Sequence, residues 1–202
     1  TRADAEALLL DLSRRIQLVI ELDSAPARYR YHHLLADHLR QELQSTDPEA
    51  TAVALARAAA WCADHGELDQ AVRYAKASGD LTLSGRLVWS GIIPCVGSGR
   101  PDRLRSWLGD LSDADLSSDR WLTLSAAWLA LQEGDGARTQ RWTLVAERHA
   151  GRDWAEQAAT DEYAASLATL RVLIGLPLAE AVTLATRALA GLPPDSEFRA
   201  PA

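Results

Sequence analysis

The chain has 202 residues, with 21 Lys and Arg against 28 Asp and Glu and a formal net charge of −7. Basic and acidic side chains alternate instead of clustering, which argues against the concentrated positive surface that a phosphate backbone requires, so direct nucleic-acid contact is not expected. No apolar run approaches the roughly 20 residues that span a bilayer, and the longest uncharged one, residues 87–96, is broken by Gly91 and Pro94. Cys62 and Cys95 stand far apart without Cys-x-x-Cys partners, which argues against a disulfide framework or a zinc site and for a reducing, cytoplasmic setting. Methionine is absent and the chain opens mid-pattern at Thr1, so a piece of a longer polypeptide is expected.

In chain order, a helix is expected over 3–12. The β-branched stretch Leu18-Val-Ile-Glu-Leu22 then reads as a strand, followed by a loop over 23–27. Tyr29-Arg-Tyr31 alternates aromatic and basic residues like a second, half-buried strand. Helices follow over 33–45, 49–64, 67–77, 80–97, 101–109, 119–133, 136–149, 154–174 and 178–190. Their starts have local causes. Asp47-Pro48-Glu49 offers a capping carboxylate and then a proline where a missing N–H costs nothing; Gly79-Asp80 and Gly134-Asp135 each end one helix and cap the next. Ala56, Ala60, Ala71, Ala75, Ala181 and Ala185 recur at helical spacing, as closely packed helices require.

Three segments repeat one grammar: an apolar helix, a glycine turn at Gly66, Gly134 or Gly175, and an alanine-rich second helix. The first two turns are separated by two periods of roughly 34 residues, that of tetratricopeptide repeats. The fold class expected is all-α: a tetratricopeptide-like superhelix of helical hairpins over 46–202, preceded over 1–45 by the end of a winged-helix domain with its short β-hairpin.

Specific residues carry a resemblance. The run Tyr29-Arg-Tyr-His-His-Leu34 opens a helix after a strand-loop-strand wing. It is followed by Ala59-Ala-Trp61, His65-Gly66, Ala71 and Tyr74-Ala75, by Leu104, Trp107-Leu108 and Leu111, and by Ala127-Trp128 with Gly134. In this order they resemble the MalT-like signal-transduction ATPases of the LuxR group of transcription regulators. Where the group tends to place proline after that last leucine, this chain has Ser112.

The resemblance implies a sensor and arm segment. An inducer or partner protein meets the helical repeats while ATP replaces ADP in a domain that this chain lacks, and the opened molecule self-assembles on promoters. It also implies a role for His32, which matches the histidine of a Met-His-Asp signature that reaches the β-phosphate of ADP in related switch ATPases. The alternative for His32 is packing or capping at the corner between wing and helix. The same region occurs fused to Ser/Thr kinases or nucleotide cyclases, and a stand-alone protein-binding scaffold is a third possibility.

Other candidates are weaker. His33 and Asp37 are four apart on one helix with His38 nearby, but no third ligand stands at proper spacing. Gly97-Ser-Gly-Arg100 lacks the Lys-Ser/Thr ending of a phosphate loop, and no catalytic constellation is visible. Trp121 and Trp128 lie two turns apart on one helix face, with Leu124 and Leu131 alongside. They suit inter-repeat packing; the competing use is a stacking surface for a ligand, which the resemblance suggests because the maltose-system member of the group recognises an oligosaccharide.

Overall fold

The β-branched and aromatic–basic stretches pair. In the computed structural model, which describes residues 19–22, 28–97 and 101–192, β1 (Val19–Leu22) runs antiparallel to β2 (Arg28–Tyr31). Val19 faces Tyr31 and Leu22 faces Arg28. Arg30 and Tyr31 point to opposite faces, yet both are exposed. At these two positions of β2 neither side chain is covered, while Ile20, opposite Arg30 on β1, is half-buried. Helix α1 (His33–Thr46) follows at once. The expected helix over 3–12 and the loop over 23–27 lie outside the described residues.

The chain divides into two units, Thr1–Ala54 and Leu55–Ala202. The hairpin and α1 belong to the first. The helices that follow are α2 (Pro48–Asp64), α3 (Leu68–Ser78), α4 (Leu81–Ser90), α5 (Ile92–Gly97), α6 (Pro101–Leu108), α7 (Asp113–Ser118), α8 (Arg120–Gln132), α9 (Gly136–Ala150), α10 (Trp154–Gln157), α11 (Glu162–Leu173) and α12 (Leu178–Gly191).

Local chemistry sets the helix starts as the sequence predicts. The Asp47 carboxylate accepts the Ala50 N–H at 2.8 Å, just ahead of Pro48. Gly79, at φ 77°, takes the left-handed conformation that closes α3, and Asp80 then accepts the Leu83 N–H at 2.9 Å. Gly134 and Asp135 repeat the device before α9, with φ 71° and an Arg138 N–H bond of 2.9 Å.

Three expectations need correction. The helix expected over 80–97 divides at Gly91 into α4 and α5. A Cβ there would lie 2.6 Å from both the Leu68 side chain and the Trp107 ring, and Pro94 has no N–H with which to continue the ladder. The helix expected over 154–174 divides into α10 and α11, because Asp161 caps a new start by accepting the Ala164 N–H at 2.9 Å. Helix α7 was not expected. Ser112 starts it through a capping box, its hydroxyl taking the Asp115 N–H while the Asp115 carboxylate takes the Ser112 N–H.

In the second unit α8 packs against α9, and α11 against α12, as hairpins turning at Gly134 and Gly175, while α4 lies along α8. One core gathers Ala71, Val72, Val88, Ile92, Leu104, Leu122, Leu124 and Leu167, all nearly or fully buried. Ala71 and Ala75 are completely buried, as close packing demands, whereas Ala60 faces solvent. Both cysteines are buried in this core. A smaller cluster, Ala158, Ala164, Ala168, Leu184 and Ala188, closes the end built by α10, α11 and α12. Among the described residues, no helix is long and apolar enough to cross a membrane.

Candidate functional site

In the first unit, His32 sits at the exit of β2, in the residue before α1. Its backbone is extended, with φ −54° and ψ 137°, and its side chain makes no capping bond. Its carbonyl accepts the Ala36 N–H at 3.0 Å. The ring is half-buried and meets the His33 ring at 4.3 Å between centroids. Tyr31 and His33 are exposed beside it. Two imidazoles and a phenol therefore share one corner, and the His32 ring is not consumed in holding the helix start. His38, farther along α1, lies 3.5 Å from Glu42. Among the described residues, no three His, Cys, Asp or Glu side chains converge in a metal-binding group.

The tryptophans of the second unit are chiefly packing elements. Trp89, Trp107, Trp121, Trp128 and Trp142 are all buried. Trp121 meets Trp89 at 5.1 Å and Tyr163 edge-on at 5.2 Å, with the Arg120 guanidinium over both Trp121 and Tyr163. Trp61 is the exposed exception, at 49 %, and it stacks on His65 at 3.8 Å.

A polar seam joins α3 to α6. Asp69 accepts Arg103 Nε at 2.8 Å and Nη2 at 2.9 Å, and Trp107 Nε1 at 2.8 Å. Lys76 donates to the Trp107 carbonyl at 2.9 Å and pairs with Asp110. A groove of about 620 Å³ lies along this seam, lined in part by Asp69, Arg73, Lys76 and Asp110. The Arg103 bonds hold the Asp69 carboxyl below its ordinary value of 3.8, and Lys76 does the same for Asp110. A depressed folded-state value means that the unfolded chain binds the proton more readily. The stabilisation is therefore complete above pH 3.8 and is lost as pH falls through the lower folded values. Both carboxylates are largely exposed, which keeps the effect modest. Asp69→Asn is expected to lower the melting temperature modestly near pH 7 and to change it little at the acid end, where the carboxyl is already protonated, so the acid limb of the curve flattens; a scan from pH 2 to 7 checks it.

A second groove, of about 510 Å³, lies at the other end of the unit between α10, α11 and α12. Its lining includes Trp154, Ala155, Leu176 and Leu184, with Arg171, Glu180 and Arg187 among them. A third, of about 480 Å³, borders Gly134, Thr139, Gln140, Arg171 and Gly175. In the sequence the charged residues of these grooves carry no motif that sets them apart. For the seam one signal existed: Asp69 and Arg103, and likewise Lys76 and Asp110, are opposite charges 34 positions apart.

Residues 1–51 match the family model of the MalT winged helix domain. The chain is similar to the HTH-type transcriptional regulator AlkS of Pseudomonas putida, 27% identical over 140 residues, which cover 68% of this chain and 16% of that protein. It is also similar to AlkS of Ectopseudomonas oleovorans, 26% identical over 134 residues, 64% of this chain and 15% of that protein. The chain thus spans about a sixth of the length of the curated relatives it matches. No solved structure matches it. With a MalT winged helix domain over residues 1–51 and likeness to AlkS over about two thirds of its length, the chain is MalT-like.

Proposed function

We propose that this chain is the regulatory segment of an ATP-dependent transcription regulator of the LuxR group. Residues 46–202 receive an inducer or partner protein, and residues 1–45 pass the signal to a nucleotide-binding domain elsewhere in a longer polypeptide. The observation that carries this reading is the order of parts: a MalT winged-helix match that ends at residue 51, followed by packed helical hairpins. Likeness to two transcription regulators supports it, since the matched stretch is a small share of a much longer protein. A tetratricopeptide-like superhelix is supported by two ion pairs made by α3, one to Arg103 of α6 and one to Asp110 just beyond it, each spanning 34 residues, the length of one such repeat.

Within this reading, His32 donates a hydrogen bond to a phosphate of ADP held by the nucleotide domain, which stabilises the resting state. An imidazole N–H suits that task, and the half-buried ring at the entry to α1 makes no competing cap bond. In the full-length regulator, His32→Ala is expected to raise promoter-reporter output without inducer. Output that stays at the resting level, at equal protein abundance, removes His32 from the switch.

A further inference from the structure

The two grooves at the ends of the second unit differ in how they use their charges. Along α3 and α6 the charges are spent on one another: Asp69 with Arg103, and Lys76 with Asp110. In the groove between α10, α11 and α12, Arg171 is likewise occupied, its Nε 2.5 Å from Glu147 Oε1. Arg187 is different. Its Nη1 donates to the Ala155 carbonyl at 3.2 Å, and among the described residues no carboxylate pairs with it. Beside it lies an apolar wall: the half-buried Trp154, Ala155 and Leu176 and the buried Leu184. The volume, about 510 Å³, falls in the range of small-ligand sites.

We propose that this groove binds a small carboxylic acid with an apolar body, the body against Trp154, Leu176 and Leu184 and the carboxylate on the Arg187 guanidinium. The chemistry of the lining selects this class. Guanidinium groups only donate, and their fork matches a carboxylate. A sugar needs acceptors as well as donors, and Glu180 is the single carboxylate on the lining. The Thr183 hydroxyl already donates to the Ala179 carbonyl at 3.0 Å. Glu180 opposes an anion, so it weakens the acid's binding without cancelling the adjacent Arg187. The ligand class rests on the sensing reading for its biological role, but the site itself is testable without it.

The test is calorimetric titration of the 202-residue protein with 4-phenylbutyrate, 4-phenylbutan-1-ol and a neutral trisaccharide. The acid is expected to bind saturably, about tenfold or more tighter than the alcohol, as a charge-assisted bond implies. Arg187→Gln should erase that difference, and Glu180→Gln should tighten the acid. Ala179→Trp, which fills the groove from its exposed side, should abolish binding with the melting temperature retained. Equal affinity for acid and alcohol overturns the proposal. So do acid binding indifferent to Arg187→Gln, binding of the trisaccharide alone, and no saturable binding. Acid binding that leaves a full-length reporter silent keeps the site and retires the sensing role. An inducible reporter in a protein that ignores the acid does the reverse.

Discussion

Trp121→Ala is expected to lower the unfolding free energy by about 3–5 kcal/mol, the usual loss when a buried tryptophan is truncated. Trp121 joins three helices: it touches Trp89 of α4 and Tyr163 of α11 from its own place in α8, at 7 % exposure. The alanine leaves a cavity between them and strips the Arg120 guanidinium of one of its two ring partners. Tyr163 donates its hydroxyl to the Ala146 carbonyl at 3.1 Å, so the disturbance reaches α9. Since whole domains are stable by only about 5–15 kcal/mol, the variant should be near the edge of folding at 37 °C. Trp121→Phe keeps most of the filling and should retain a clear cooperative transition. Urea titration followed by circular dichroism reads both, as a shift in midpoint at nearly constant slope. An unmoved midpoint for the alanine variant would return Trp121 to the role of a ligand-stacking surface.

Gly85→Ala is expected to cost about 2–4 kcal/mol, combining overpacking with a lost helix cap. A Cβ at Gly85 would lie 2.0 Å from Asp119 Oδ1 and 3.3 Å from the Leu122 side chain. That same oxygen accepts the Trp121 and Leu122 N–H groups at 2.9 and 3.0 Å, which starts α8. The methyl group must displace a buried carboxylate or separate α4 from α8. Asp119→Ala alone should cost about 0.5–2 kcal/mol through the cap. The double variant should cost less than the sum of the singles, because the clash disappears with the carboxylate. Gly136→Ala is the control: nothing lies within 4 Å of its Cβ position, and alanine there should be neutral or stabilising by up to about 1 kcal/mol. Additive effects at Gly85 and Asp119 would mean that the close approach of α4 to α8 does not depend on this contact.

How much of this was legible in the sequence follows the range of the interactions. Helix starts at Asp47, Asp80 and Asp135 are decided by bonds over three residues, and the sequence shows them. So is the capping box at Ser112 and Asp115, which went unread because its helix is six residues long and has little periodicity to display. The division at Gly91 was legible only as the presence of two helix breakers, Gly91 and Pro94, and not in its tertiary cause. It depends on Leu68 and Trp107, far away in the chain, reaching the spot where a side chain would stand. His32 could be placed at the strand–helix corner from the Tyr29-Arg-Tyr-His-His-Leu34 run, whereas its contact with His33 required coordinates. The α10–α12 groove is assembled from residues between 154 and 187, and its arginines look in sequence like any other solvated charges. What distinguishes Arg187 is that it donates to a carbonyl and pairs with no carboxylate among the described residues, which only the fold reveals.

If the strand–helix corner of residues 1–45 couples to a bound nucleotide, as proposed for His32, the ADP dissociation rate reports it. The rate is measured on the full-length regulator, wild type against His32→Ala, with a fluorescent ADP analogue chased by unlabelled nucleotide. Release from the variant is expected to be faster by about tenfold or more, the scale of a lost charge-assisted hydrogen bond. An unchanged rate in a normally folded variant would contradict that coupling and leave His32 as a residue that only shapes the corner.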